Sequence, residues 1–162
     1  MKTVSKEELK ELYDKDFPRW VDINLQLLKE KAYDLVDWEN LLEEIEDMGR
    51  RYLDTCISYL AIILEHLYKW DNFKNLVGTD GGRSWIRSVE NSRTRIRAML
   101  KEYPSLRNKL SEEIERAWIR ARSKLEIWLR NSDYDPEDFN IPEKCPYNYE
   151  EAMTRDLKKE LK

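Results

Sequence analysis

The chain has 162 residues, of which 41% are hydrophobic and 38% are charged, with only four glycines and five prolines. This composition is typical of one ordinary domain built from long amphipathic helices, and it argues against a β-barrel or a β-sandwich. The formal net charge is −4, no apolar run is long enough to cross a bilayer and no secretory leader is recognisable, so we expect a cytoplasmic protein that makes no membrane contact.

Two N-terminal helices are predicted over residues 5–31. Ser5-Lys6-Glu7-Glu8 has the spacing of a capping box, in which a serine and a glutamate three residues later satisfy the amides of a helix start. Pro18 is disfavoured inside a helix, so we place it in the first turn of a second helix with Asp16 as the N-cap. A connector over residues 33–36 then leads to Asp37, which we expect to cap the next helix.

The central helix is predicted over residues 37–71, which contain no proline and one glycine, Gly49. Apolar residues at helical spacing share one face of it. They are Leu41, Ile45, Met48, Tyr52, Cys56, Tyr59, Ile63 and Trp70. Over residues 57–67 the apolar side chains extend nearly all round, as in a helix buried on several sides. We therefore expect a single unbroken helix around which the others pack.

Two more helices are predicted over residues 84–103 and 105–131, after a loop that holds Gly78, Gly81 and Gly82. A proline-rich tail over residues 132–162 carries a short helix near 149–157, which either folds back on the other helices or frays. Because short connections make neighbouring helices antiparallel, we predict one all-α domain over residues 1–162, an up-down bundle of about four long helices around the central helix.

Several short motifs occur in the order found in one known family. They are Tyr13, Asp16-Phe17 and Trp20; Asp37-Trp38-Glu39-Asn40-Leu41-Leu42-Glu43-Glu44-Ile45-Glu46-Asp47-Met48-Gly49-Arg50; His66-Leu67-Tyr68-Lys69-Trp70; Arg83-Ser84-Trp85; Arg93 with Ile96; Pro104-Ser105-Leu106; and Cys145-Pro146. The chain thus resembles a prokaryotic helical family known as domain of unknown function 29. The resemblance implies an all-helical single domain and supplies no activity. The glycine-rich loop departs from the family pattern.

The acidic block at the start of the central helix has two interpretations. Its carboxylates could offer oxygen ligands to a divalent cation, alone or with His66. The candidate ligands are Glu43, Glu44, Glu46 and Asp47, with Glu39 beside them. However, on one continuous helix Glu44 and His66 lie roughly 33 Å apart. Since negative charge is favourable at a helix N-terminus, we favour a solvated helix start, unless the helix folds back at Gly49.

A buried polar cluster is predicted around the one histidine, His66. If the central and following helices pack antiparallel, Arg93 lies opposite residues 59–62, about one turn from His66. A core-facing arginine needs an anion, which Glu65 or Glu115 could supply. His66 and Arg93 are the candidate catalytic residues, but we favour a structural network. With one histidine, a Ser–His–Asp or Cys–His arrangement has almost no place in this chain.

The glycine-rich loop and the basic residues after it are candidate anion sites. Gly81, Gly82, Arg83 and Ser84 lead into a helix start, where backbone amides can bind a phosphate. These residues lack the Gly-Lys-Ser/Thr ending of a P-loop, so a connector is the simpler interpretation.

Residues 83–130 carry a net charge of +7, against −7 for residues 1–82 and −4 for residues 131–162. Basic residues four apart share a helix face and could follow a nucleic-acid backbone. They are Arg83 and Arg87, Arg93 and Arg97, and Arg116 and Arg120, joined by Arg95, Arg107, Lys109, Arg122 and Lys124. We disfavour nucleic-acid binding because the sequence pI is 5.3 and the acidic N-terminal part can neutralise these residues.

The remaining signals favour an interaction module over an enzyme. Most of the six tryptophans have inward spacing, and any that is exposed would mark a partner surface. Cys56 and Cys145 are too few for a disulfide framework and lack the closely spaced partners of a metal site, and a disulfide between the two is disfavoured in a reducing cytosol. We expect a module that binds a protein partner or itself, without a cofactor. The alternatives are a metal- or anion-dependent enzyme or ligand binder centred on His66 and Arg93, and nucleic-acid binding through the basic helices.

Overall fold

The structure is a computed structural model that describes residues 3–76 and 80–161, and every regular element in these ranges is a helix. The α-helices are α1 (Lys6–Lys15), α2 (Phe17–Lys29), α3 (Trp38–Asn72), α4 (Arg83–Glu102), α5 (Leu106–Glu112), α6 (Ile114–Asn131) and α7 (Tyr149–Thr154). Short 3-10 helices lie at Tyr33–Leu35, Lys74–Leu76, Pro136–Asp138 and Leu157–Glu160. The all-α prediction is confirmed. Within these two ranges no helix is long and apolar enough to span a membrane.

The chain divides into two compact units, one that ends at Arg50 and one that begins at Arg51. We call them the N-terminal unit and the C-terminal unit and describe each by itself. The first turns of α3 belong to the N-terminal unit and the rest of α3 to the C-terminal unit. The single domain expected over residues 1–162 stays a prediction.

In the N-terminal unit the helix starts follow the predicted capping pattern. The Ser5 hydroxyl accepts a hydrogen bond from the Glu8 amide, and the Glu8 carboxylate accepts one from the Ser5 amide. Asp16 accepts from the Arg19 amide, and Pro18 lies in the first turn of α2, where its missing N–H costs nothing. The capping box and the two-helix start are confirmed.

Asp37 joins α2 to the start of α3. Its carboxylate accepts a hydrogen bond from the Trp20 indole N–H at 2.9 Å and caps α3 through the Asn40 amide at 3.4 Å. Its own amide donates to the side-chain oxygen of Asn24 at 2.9 Å. These buried polar groups satisfy one another, as burial requires. In the described part of this unit, the only buried apolar residues are Leu9, Trp20 and Val36.

The C-terminal unit contains a large core around α3. From Cys56 to Trp70 most α3 side chains are buried, including the 57–67 stretch predicted to be covered on several sides. α4 contacts α3 at Met99, whose sulfur lies 3.7 Å from that of Cys56, and α6 contacts it where Trp118 packs on Tyr68. Buried Ala152, Met153 and Leu157 add the C-terminal tail to the same core, so the tail folds back on its own unit.

Two expectations about helices need correction. Residues 105–131 form two helices, α5 and α6, because the Glu113 amide bonds the Leu110 carbonyl three residues back, which tightens the chain and ends α5. The predicted inward face of the central helix is wrong for its first half, since Ile45, Met48 and Tyr52 are exposed. By contrast, α3 passes through Gly49 without interruption, so it does not fold back there.

Candidate protein-interaction surface

The members of the predicted cluster, His66, Arg93, Glu65 and Glu115, have different hydrogen-bond partners. His66 is half-buried and contacts two buried neighbours on α3: its Nδ1 lies 3.6 Å from the Glu65 carboxylate, which accepts a hydrogen bond from Lys69 Nζ at 3.1 Å. His66 Nδ1 must donate to the Ile62 carbonyl oxygen 2.7 Å away, because a carbonyl only accepts. Burial lowers the pKa of His66, and the Glu65 carboxylate only partly opposes this. Burial therefore favours the neutral form of the ring.

Arg93 has a different role, at the C-terminal end of α7. Its Nε donates to the Ala152 carbonyl at 2.9 Å, and Arg97, one turn along α4, donates to the Met153 carbonyl at 2.9 Å. The last carbonyls of a helix lack internal donors and carry partial negative charge, so two arginines on one face of α4 suit this position. Arg93 also pairs with Glu90 at 3.1 Å. These contacts occupy Nε and Nη1 of Arg93, while its buried Nη2 has no hydrogen-bond partner among the described residues.

Glu115 also binds the tail and not His66. Its carboxylate accepts from the Cys145 amide at 3.0 Å, while Trp118 donates to the Pro142 carbonyl at 2.9 Å. Burial raises the pKa of the Cys145 thiol to about 11, so it is protonated at neutral pH, and both cysteines are free. The sequence pattern could not reveal these bonds, because irregular tail segments carry no periodicity that fixes their partners.

The acidic block does not assemble a cation site. Glu44 accepts a hydrogen bond from the Tyr13 hydroxyl at 2.6 Å, and Glu46 and Asp47 lie 2.9 and 4.0 Å from Arg50. Across the described ranges, no three His, Cys, Asp or Glu side chains are grouped so that they could hold a metal ion. The weak metal candidates Glu43, Glu44, Glu46 and Asp47 are therefore not brought together.

The predicted anion cradle is filled from within the chain. The Asp80 carboxylate accepts from the Gly82 amide at 2.8 Å and from the Ser84 amide at 3.2 Å. Hydrogen bonds from Gly82 and Ser84 accordingly lower the pKa of Asp80. Gly82 has φ +85°, and a Cβ there would lie 2.9 Å from the Trp70 ring, so glycine is required by packing. Gly78 lies outside the described residues.

Several of the basic residues have partners inside the C-terminal unit. Besides Arg93 and Arg97, Arg120 binds Asp54 at 2.9 Å and Arg122 lies 3.6 Å from Glu126. Arg122 and Arg130 line an open groove of about 450 Å³, but Glu126 and Glu137 line it too. Acidic residues on this groove disfavour a phosphate backbone.

The most unusual feature of the molecule is an exposed apolar stripe on the first turns of α3. Leu42, Ile45 and Met48 are 54%, 53% and 59% exposed, and Trp38, whose indole donates to the Tyr33 carbonyl, is exposed as well. On a helix these four residues span an arc of about 120°, so they form one surface, which we call the α3 stripe. Monomeric proteins seldom leave such an arc uncovered unless it binds something.

The N-terminal unit as a whole exposes more apolar side chains than its small core buries. Of the fourteen large hydrophobic residues exposed in the described ranges, nine belong to it. Besides the α3 stripe they are Phe17, Val21 and Leu25 on one face of α2, with Tyr33 and Leu35 in the connector. Helical spacing assigned Ile45 and Met48 to the core and did not single out Leu42, because spacing shows that residues share a face but not whether anything covers that face.

The fold and the surface together define a class: all-helical proteins with a well-packed C-terminal unit and an exposed apolar helix face. The family model described as domain of unknown function DUF29 matches residues 12–157. The chain therefore belongs to this family, as the resemblance indicated. Comparison with curated proteins and with solved structures gave no significant match.

Proposed function

We propose that this protein is a helical protein-interaction module whose binding surface is the α3 stripe. The observation that supports it is the exposure of Leu42, Ile45 and Met48 on one helix face of a unit that buries only three apolar residues among those described. Amphipathic helices owe most of their stability to packing of the apolar face, so an uncovered face of this size favours a partner. The exposed Trp38 fits this function, because tryptophan is enriched at interaction surfaces.

The cytoplasm is the compartment in which we expect this interaction. Both cysteines are free thiols, which suits a reducing environment. An enzyme centred on His66 and Arg93 has less support, since His66 is bound to its own helix and Arg93 to α7.

Site-specific photo-crosslinking in the source cells tests the proposal. A photoreactive amino acid at position 45 should yield a discrete crosslinked protein adduct, which mass spectrometry then identifies. The matched control is position 127 on α6, where Ile127 is also exposed, at 55%. No adduct from position 45, or the same adducts from both positions, would contradict the proposal.

A further inference from the structure

The α3 stripe has an acidic row along one side. Glu39, Glu43 and Glu46 follow one another at spacings of four and three, so they lie on one line parallel to the stripe. All three are exposed. Glu39 pairs with Lys10 at 3.1 Å and Glu46 with Arg50 at 2.9 Å, while Glu43 has no ion-pair partner among the described residues. The opposite side is different, because there Tyr13 covers Glu44.

This charge pattern favours a basic partner protein over a second copy of the chain as the molecule that binds the α3 stripe. A second copy bound antiparallel through the same face would bring two acidic rows together, and in any orientation two copies would bring together units whose residues 1–50 each carry a net charge of −6. Like charges across an interface cost binding energy and suppress the wrong partner. A partner with basic residues beside its apolar side chains would instead be attracted by the row, most of all by Glu43, since Glu39 and Glu46 already pair with Lys10 and Arg50.

Gly49 favours a helix as the shape of this partner. It lies one turn after Ile45, on the stripe side of α3, and a Cβ added to it would meet nothing within 4 Å. Glycine inside a helix is unfavourable, so its presence here has no explanation within the described contacts. Its missing side chain leaves a shallow depression next to Ile45, in which the side chain or backbone of an approaching helix can sit closely.

We propose that the α3 stripe binds a basic amphipathic helix of a partner protein. The partner helix presents apolar residues at helical spacing to Leu42, Ile45 and Met48, and lysine or arginine residues to Glu39, Glu43 and Glu46. The stripe from Trp38 to Met48 is about 15 Å long, so about three turns of the partner cover it. This inference rests on the proposed function and adds the chemistry of the partner.

A labelled synthetic peptide can serve as the probe in fluorescence anisotropy. The peptide is an amphipathic helix of about 14 residues with leucines on one face and lysines and arginines elsewhere, and its twin carries glutamate at every basic position. We expect the protein to bind the basic peptide at least about tenfold more tightly than the acidic twin, and this preference to shrink as salt rises.

Variants of the protein locate the binding. Leu42→Gln with Ile45→Gln should weaken binding of the basic peptide by about tenfold or more, because these residues form the centre of the contact. Glu43→Gln with Glu46→Gln should weaken it by roughly threefold and flatten its salt dependence. The control, Ile119→Gln with Ile127→Gln, removes side chains that are 66% and 55% exposed on α6 and should leave binding unchanged. Circular dichroism verifies that every variant is folded.

Several results would overturn the inference. The first is equal binding of both peptides. The second is loss of binding in Val21→Gln with Leu25→Gln on α2 while the α3 variants still bind, which would place the site elsewhere. The third is the absence of peptide binding together with a dimer of the protein, seen by analytical ultracentrifugation, that dissociates in the Ile45→Gln variant. The α3 stripe would then bind a second copy of the chain. A crosslink at position 45 without basic-peptide binding would overturn the partner chemistry alone, whereas no crosslink would overturn the proposed function too.

Discussion

At the scale of single residues, a charged contact joins the tail to α3. Arg155 forms a two-pronged ion pair with Asp71 at 2.6 and 2.8 Å, and the Tyr147 hydroxyl donates to the same carboxylate at 2.6 Å. Partial burial acts to raise the pKa of Asp71, but hydrogen bonds from Arg155 and Tyr147 outweigh it and hold the pKa below its ordinary value. Asp71 therefore stabilises the fold mainly as a carboxylate.

Asp71→Asn should lower the free energy of unfolding at pH 7 by about 1–3 kcal/mol, since it removes a charge-assisted contact. A depressed folded-state pKa gives stability that is present above the unfolded-state pKa, about 3.9, and is lost as pH falls through the folded-state pKa. The wild-type protein should therefore lose more stability than the variant below about pH 4. Urea unfolding at pH 7 and at low pH measures both effects.

Asp54→Asn is the matched control, because Asp54 also pairs with an arginine, Arg120, but its side chain is 54% exposed. An exposed ion pair contributes little to stability. For Asp54→Asn we therefore expect the free energy of unfolding to fall by less than about 1 kcal/mol at pH 7, and the loss of stability at low pH to stay nearly as in the wild type. Two results would show that the Asp71 contact does not stabilise the tail. One is an equal loss of unfolding free energy in both variants, and the other is an Asp71→Asn variant that loses as much stability at low pH as the wild type.

Residue types alone indicated that His66 and Arg93 needed partners, but not which partners. Periodicity placed Arg93 on the inner side of its helix, and it is indeed buried. Its acceptor, the Ala152 carbonyl, lies 59 residues away in a tail whose path depends on packing and not on any repeat. The same holds for Asp71 and Arg155, which are 84 residues apart and were not singled out.

At the scale of the helices, α3 is one regular element with two different surroundings. Helical spacing predicted its length well, because an amphipathic pattern fixes the type of element and its apolar face. Spacing does not say whether anything covers that face. After Cys56 the face packs into the core of the C-terminal unit, while Leu42, Ile45 and Met48 remain exposed.

Two substitutions of the same type should separate the two parts of α3. Leu60→Ala removes a fully buried side chain and leaves a cavity, so it should cost about 2–5 kcal/mol of unfolding free energy. Leu42→Ala removes a side chain that is 54% exposed and should cost below about 1 kcal/mol, since alanine is the best helix former. Chemical denaturation measures both. A cost at Leu42 close to that at Leu60 would mean that the stripe is covered within the free protein.

At the scale of the whole molecule, the apolar core is very unevenly distributed. The buried hydrophobic cluster of the C-terminal unit draws on α3, α4, α5, α6, α7 and the tail. The described part of the N-terminal unit buries Leu9, Trp20 and Val36, supported by the polar contacts of Asp37. Such a small core offsets little conformational entropy, so the two units should differ in local stability.

Native-state hydrogen exchange should therefore find two levels of protection. Amides of α1 and α2 should exchange through local openings of lower free energy. For amides of α3 between Cys56 and Lys69, the opening free energy should approach the global free energy of unfolding. A partner that binds only the ordered form adds stability by mass action, so a saturating ligand of the α3 stripe should slow exchange in α1 and α2 first. Equal protection of both units in the free protein would contradict this, because the N-terminal unit would then not depend on a partner to cover its apolar face.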